Sequence, residues 1–328
     1  MHKPVLLKEA IEYLNPKPGQ KFIDATVDGG GHAMAILEKI VPNGKLLGIE
    51  WDGELLKYLK FKIENLKLSQ NVILAQDSYI NLKKIAIENG FMDADGILFD
   101  LGMSSWHLEE AGKGFTFQKN EPLDMRYGVE KFPISPTSPK QPFRLRRPGN
   151  HQFPNVGLTA EEIINKYSYD ELAKILKEYG EERFAKSIAA HIVKARKEKP
   201  IKTTYELVEI IKHSAPFWYR QGRIHYATRT FQALRIAVND ELENLKSGLG
   251  QAMDILTTGG RIAVMSFHSL EDRIVKNFFR TKAKEGVLKI IIKKPIIAGL
   301  AEITENPRAR SAKLRVAEKI VARSMDYG

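Results

Sequence analysis

Four stretches hold the side chains best suited to chemistry, and each follows an apolar run. Asp24-Ala25-Thr26-Val27-Asp28-Gly29-Gly30-Gly31-His32 sets three consecutive glycines between two acids and a histidine. Such a run lets the backbone approach a ligand and take positive φ. It reads as a nucleotide-type cofactor cradle or as a tight strand-to-helix turn. Glu50 ends the next apolar run, roughly 20 residues on, where an acid accepts from both hydroxyls of a ribose. NAD and S-adenosyl-L-methionine both suit that geometry. The NAD fingerprint spaces its glycines as G-x-G-x-x-G, so a contiguous run followed by His32 favours S-adenosylmethionine. A solvated strand end is the plain alternative for Glu50.

Asp100-Leu101-Gly102-Met103-Ser104-Ser105 closes another apolar run. An exocyclic amine is a weak nucleophile because its lone pair is delocalised into the ring. A carboxylate and neighbouring backbone carbonyls that hold its protons let the nitrogen pyramidalise toward an electrophile. Asp100 is the candidate for that task, with Ser104 in the same loop; a turn in which Asp100 caps backbone amides is the alternative. Ser266-Phe267-His268-Ser269-Leu270-Glu271-Asp272-Arg273 follows another apolar run and puts His268, Glu271, Asp272 and Arg273 near the same sheet edge. A Ser/His/Asp hydrolase reading lacks its G-x-S-x-G elbow, and a helix capped by Ser269 is the bland alternative. His225 to Gln232 and Asn306-Pro307-Arg308-Ala309-Arg310-Ser311 mix cations with polar and aromatic groups. They suit phosphates or a flipped base, or a solvated surface.

These residues must be positioned by alternating elements. Apolar runs at 21–27, 45–50, 71–75 and 96–100 read as strands, and 32–40, 54–66 and 78–89 have helical spacing. Alternation of this kind implies parallel strands with right-handed crossovers, hence an open α/β sheet. Residues 131–156 break the pattern with six prolines, five Lys or Arg and no acid, and read as an irregular basic segment. Residues 159–213 read as helical throughout, with Thr159-Ala160-Glu161-Glu162 as a capping box. The α/β pattern returns near 225. A long helix is expected over 228–256, a turn at Thr258-Gly259-Gly260, a fifth strand over 261–267, a helix over 270–283 and last strands at 288–292 and 313–317. The expected organisation is an α/β domain from 1–110 and 225–328, split by a helical insertion at 111–224.

Composition narrows the function classes. The 328 residues suggest two domains, and 43% apolar residues suffice for a sizeable core. The net charge of +11 is uneven: −4 over 1–130, +7 over 131–260 and +8 over 261–328. A basic back half points to a polyanionic partner, nucleic acid first. With no cysteine in the chain, disulfides, Cys-ligated metal and a thiol nucleophile are excluded. Lys8 and Glu9 interrupt the apolar core a signal peptide needs, and no run approaches the roughly 18 apolar residues of a membrane span. A soluble, cytoplasmic protein without a metal is expected.

Taken together, the motifs resemble the bacterial small-subunit ribosomal RNA cytosine-N4 methyltransferases of the MraW/RsmH type. The resemblance rests on His2 to Leu7, Asp24 to His32, Asp95 to Ser105, Gly114 to Phe117, Pro122 to Arg126, Tyr179 to Ala185, Thr228 to Asn239, Ser266 to Arg273 and Asn306 to Ser311, in order along nearly the whole chain. It implies a class I S-adenosylmethionine-dependent methyltransferase, a Rossmann-like sheet with an inserted all-helical domain. It implies methyl transfer to N4 of a cytidine in the decoding region of 16S rRNA, in the small ribosomal subunit. Gly30, Gly31, His32, Glu50, Tyr79, Asp100 and His107 fall on its cofactor-contacting positions. Asp100, Ser104 and His268 are then the candidate catalytic residues, and Arg229, Arg273, Arg308 and Arg310 candidates for holding RNA. The chain departs from the family's pattern at Asp28, where glycine is usual, at Glu50 for aspartate, at His107 for glutamine and at Tyr226 for proline. Its stretch 131–156 is longer than the family's norm.

Three rivals bracket this reading. A DNA amino-methyltransferase would share the crevice, and methyl transfer to duplex DNA against ribosomal subunits separates the two. A nicotinamide-dependent dehydrogenase would differ in cofactor calorimetry. A non-catalytic RNA-binding assembly factor would have no use for Asp24, Glu50 and Asp100 in one crevice.

Overall fold

The structure is a computed structural model that describes residues 3–66, 68–127 and 157–321. The basic stretch 131–156 lies outside the described residues. Along the chain run α1 (Leu7–Leu14), β1 (Lys21–Asp24), α2 (Gly31–Ile40), β2 (Lys45–Glu50), α3 (Gly53–Asn65), β3 (Val72–Gln76), α4 (Leu82–Asn89), β4 (Ala94–Asp100) and α5 (Ser105–Glu109). After them come α6 (Ala160–Lys166), α7 (Tyr169–Glu178), α8 (Ala185–Glu198), α9 (Thr204–Ser214), α10 (Phe217–Arg220) and α11 (Thr228–Asn239). The chain closes with α12 (Glu241–Ile255), β5 (Leu256–Ser266), α13 (Ser269–Lys284), β6 (Leu288–Ile290), α14 (Leu300–Glu305) and β7 (Lys313–Lys319).

Two compact units result, one from residues 1–106 with 242–328 and one from 107–241. The first holds a seven-stranded sheet in the order β3-β2-β1-β4-β5-β7-β6. β1 to β5 are parallel, and β7 runs antiparallel between β5 and β6. This is the class I methyltransferase fold. Strand alternation explains its two-sided core. Ile23, Leu47, Ile97 and Ile262 point to one face, against α4, α12 and α13. Phe22, Leu46, Leu98 and Ala263 point to the other, against α1, α2 and α3. Parallel strands buried on both faces need such continuous apolar runs. The order reverses between β1 and β4, so the crevice at their carboxyl ends is the binding position of an open α/β sheet.

The second unit contains α6 to α11. Three of its helices begin with reciprocal capping boxes, Thr159 with Glu162, Ser168 with Glu171 and Thr203 with Glu206, the first at the expected site.

Two expectations need correction. The helix expected over 228–256 breaks at Asp240, whose φ of +50° ends α11, and α11 packs with α6 and α7 in the helical unit. The boundary between units accordingly falls at 241/242 rather than 224/225. The turn expected at Thr258-Gly259-Gly260 lies inside β5 as an irregularity, with Gly259 at φ +83°. There the pairing shifts from Ala94 with Leu256 to Gly96 with Arg261. A bulge absorbs the glycines without ending the strand.

Candidate functional site

Asp24, Glu50 and Asp100 each end a strand, on β1, β2 and β4. Asp24 is almost wholly buried, and its carboxylate accepts from the Thr26 N–H at 3.2 Å. Burial pushes the Asp24 carboxyl up to about 8; the Thr26 bond opposes this, and the charges of Asp100 and Asp28 reinforce it. The loop then turns through Asp28 at φ +45° and Gly30 at φ +77°, and Gly30 precedes α2. Asp28 thus occupies a left-handed position that only glycine takes without strain. At Gly30 a β-carbon would also stand 2.4 Å from a Leu59 methyl.

Glu50 closes the loop from the next strand. Its Oε2 accepts from the Asp28 N–H at 3.0 Å and its Oε1 from the Asp52 N–H at 2.8 Å. Burial again dominates and pushes the carboxyl up to about 8; the charges of Asp28 and Asp52 add to it against the two backbone bonds. Each carboxylate oxygen has a second lone pair, so Glu50 retains acceptor capacity. Asp52 caps α3 by accepting from the Glu54 and Leu55 N–H groups.

His32 joins this cluster to Asp100. Nδ1 lies 3.4 Å from Asp100 Oδ2, and Nε2 lies 3.0 Å from the Val5 carbonyl oxygen. The Asp100 N–H donates to Thr26 Oγ1 at 2.6 Å, and Asp100 Oδ1 accepts from Gly102 at 3.3 Å. The N-terminal segment forms a strap over α2. A β-carbon on Gly31 would stand 2.9 Å from the Pro4 ring, so glycine there admits the strap. The strap is tied down by α14 and the turn after it. Glu302 accepts from the Leu6 N–H at 2.7 Å, Asn306 Nδ2 donates to the Lys3 carbonyl at 3.1 Å, and Lys3 pairs with Glu305.

The arrangement is an acid-lined crevice at a sheet switch point, with one acid able to take hydroxyls and one held by an imidazole. The chain matches the MraW methylase family over residues 1–132 and 153–320. It belongs to that family. It is 43% identical over 335 residues to the ribosomal RNA small subunit methyltransferase H of Heliobacterium mobile, covering 97% of this chain and 99% of that protein. The protein of the same name from Geobacter sulfurreducens is 44% identical over 335 residues, with 97% and 99% covered. That from Halothermothrix orenii is 43% identical, with 98% and 99% covered. The match to the MraW methylase family omits 133–152, most of the Pro-rich basic stretch.

Other sequence-predicted residues of this MraW family member fall in varied settings. Tyr79 follows β3 and packs edge-on against Phe99, with ring centroids 5.6 Å apart. Ser104 is buried and its Oγ accepts from the Trp106 N–H at 3.0 Å, a local cap. His268, not Ser269, caps α13. Its Nδ1 accepts from the Glu271 N–H at 3.4 Å, while Glu271 accepts from Phe267 and His268. The ring proton therefore sits on Nε2, 3.1 Å from Glu271 Oε1. Nδ1 is thus engaged in the cap, while Nε2 is buried and makes no hydrogen bond to Glu271 despite its proximity. Arg273 is exposed on α13. Arg310 is exposed and Arg308 half-buried in the turn 307–311, where Asn306 Oδ1 accepts from the Arg308 N–H.

In the second unit His107 is buried edge-on to Phe115 and Tyr127. Arg229 donates to the Glu181 carbonyl at 2.7 Å. Sequence reasoning missed the strap and its anchors Glu302 and Asn306. The only local signals were Pro4 and a polar Glu-x-x-x-Asn pair, whose partners lie about 300 residues away.

Proposed function

We propose that the chain methylates N4 of a cytidine in the decoding region of 16S rRNA, with S-adenosylmethionine as methyl donor. The observation that carries the reading is the convergence of Asp24, Glu50 and the His32-held Asp100 on the carboxyl ends of β1, β2 and β4. The names of the full-length relatives support rRNA of the small subunit as the substrate. No described helix is long and apolar enough to cross a membrane.

The donor set fits the cofactor. Glu50 keeps lone pairs free beside two backbone donors, which suits ribose hydroxyls. Gly30 holds the loop open where a side chain would strike Leu59. Asp24, Glu50 and Asp100 line a crevice that suits a cationic ligand, whose charge would draw the raised Asp24 and Glu50 carboxyls toward their ionised forms. Gly30, Gly31, His32, Glu50, Tyr79 and Asp100 are the proposed cofactor-binding set, and His107 joins it on the family resemblance alone. When bound, S-adenosylmethionine supplies an electrophilic methyl group on a cationic sulfur.

The chain's own residues then orient the nucleophile. The Asp100 carboxylate accepts from the target amine, so that the nitrogen lone pair turns out of the ring plane. The amine must give up one proton on accepting a methyl group, and the Asp100 carboxylate that holds its N–H would be the group to receive it. His32 holds Asp100 in place. The target base must leave its stack to reach the crevice. Methylation at C5 of a pyrimidine commonly proceeds through a cysteine adduct, and this chain carries no cysteine. An atom that is already nucleophilic is therefore the acceptor.

The test is calorimetry of S-adenosylmethionine with Glu50→Ala. Each charged hydrogen bond contributes roughly 1.5–3 kcal/mol, so affinity should fall at least tenfold with the fold intact. Unchanged affinity would remove Glu50 from the cofactor site.

A further inference from the structure

The second unit carries an aromatic and cationic surface that the methyl-transfer chemistry does not use. Trp218 is 56% exposed and Phe217 68% exposed, side by side on α10, with Ile224 exposed close by. This exposure is built. The neighbouring Tyr219 hydroxyl donates to the buried Glu182 carboxylate at 2.7 Å, and its ring packs edge-on against Phe184 at 4.8 Å. Burial and the Glu182 bond push the Tyr219 phenol up, which keeps it protonated and donating. With Tyr219 anchored inward, its two neighbours are turned out.

Cations surround these rings. The Arg183 guanidinium lies 5.1 Å from the Trp218 ring centre and the Arg220 guanidinium 5.5 Å from that of Phe217, both within cation–π range. Residues 210–239 contain five Lys or Arg and no acid. Trp218, Tyr219, Gly222, Arg223, Ile224 and Arg229 line a hollow of about 250 Å³. That is below the roughly 300 Å³ at which small-molecule sites begin, and it suits one flat ring system.

We infer that α10 and the turn after it form a stacking platform for an unpaired nucleotide of the RNA substrate, with Trp218 as the base-stacking face and Arg223 on the adjoining phosphate. Exposed aromatics among cations, with no acid in the segment, are what single-stranded nucleic acid needs: a π-face for any base and positive charge for its backbone. The inference rests on the reading of RNA as substrate and adds where an unpaired segment is gripped.

The experiment titrates the full chain with a fluorescein-labelled single-stranded 16S rRNA fragment spanning the target cytidine, at several salt concentrations. Trp218→Ala should weaken binding about tenfold or more and leave the salt slope unchanged. Trp218→Phe should recover most of the affinity. Arg223→Ala should flatten the salt slope by about 0.7. RNA should quench an emission component that wild type has and Trp218→Phe lacks. Thermal melts identify any variant that fails to fold, and the wild-type quench stands independently of the alanine variant. Wild-type binding by Trp218→Ala, with no quench at Trp218, would overturn the platform while leaving rRNA methylation by wild type intact. Concentration-dependent dimerisation lost in Trp218→Ala would overturn it in favour of a self-interface. If wild type neither binds the fragment nor methylates ribosomal subunits, the RNA reading itself fails.

Discussion

His32 bridges the Val5 carbonyl and the Asp100 carboxylate, with Nε2 3.0 Å from the first and Nδ1 3.4 Å from the second. A carbonyl oxygen only accepts, so Nε2 carries a proton, and Nδ1 can hold the Asp100 carboxylate only when it carries one as well, in the imidazolium form. One ring thereby sets the position of the acid proposed to orient the amine. His32→Ala should leave buried polar groups unsatisfied and cost about 1–3 kcal/mol of stability in urea melts. It should also lower turnover at saturating cofactor more than it raises KM. A variant with wild-type turnover would show that Asp100 needs no such support.

Asp24 makes stability depend on pH. Its folded carboxyl titrates at about 8 against an ordinary value of 3.8. Between those values the unfolded chain has lost the proton and the folded chain keeps it, so stability falls as pH rises from about 4 to 8 and levels off above. The slope is at most about 1.4 kcal/mol per pH unit. Asp24→Asn cannot ionise, so its stability relative to wild type should increase from pH 5 to pH 7.5 in denaturant melts. A difference independent of pH would mean that Asp24 is ionised in the folded protein.

Asp28 is strained and charged at once. Asp28→Gly relieves the φ of +45° and removes a charge that raises both Asp24 and Glu50. Relief of left-handed strain, roughly 1–2 kcal/mol in a helix and less for Asp, is partly offset by glycine's unfolded-state entropy. The larger effect should be on binding: S-adenosylmethionine should bind more tightly at pH 7, with the pH midpoint of affinity moved down. An unmoved midpoint would uncouple Asp28 from the crevice.

Glu302 tests the strap. Glu302→Ala removes the acceptor 2.7 Å from the Leu6 N–H, and stability should drop by about 1–2 kcal/mol. Glu302→Gln keeps an acceptor oxygen and should recover most of the loss. Equal melts for all three chains would show that the strap is held by its apolar contacts.

Much of the crevice was legible because it is local. Parallel strands advertise themselves as apolar runs, and Asp24, Glu50 and Asp100 stand where those runs end. The glycines mark the turn between β1 and α2. What was not legible depends on distant or atypical partners. The break at Asp240 comes without glycine or proline, in a non-glycine residue that takes a φ of +50° between α11 and α12. The α13 cap falls to His268 although Ser269 is the stronger capping type, because Glu271 is placed to complete the box with the imidazole. The strap joins residues about 300 positions apart, and no local pattern announces such a contact.

The most direct measurement is nucleoside mass spectrometry of 16S rRNA after small ribosomal subunits are incubated with the enzyme and methyl-labelled S-adenosylmethionine. The label should appear as N4-methylcytidine at a single decoding-region position and be strongly reduced with Asp100→Ala. Label found only as 5-methylcytidine, or undiminished N4-methylcytidine with Asp100→Ala, would contradict the role given to the Asp100 carboxylate.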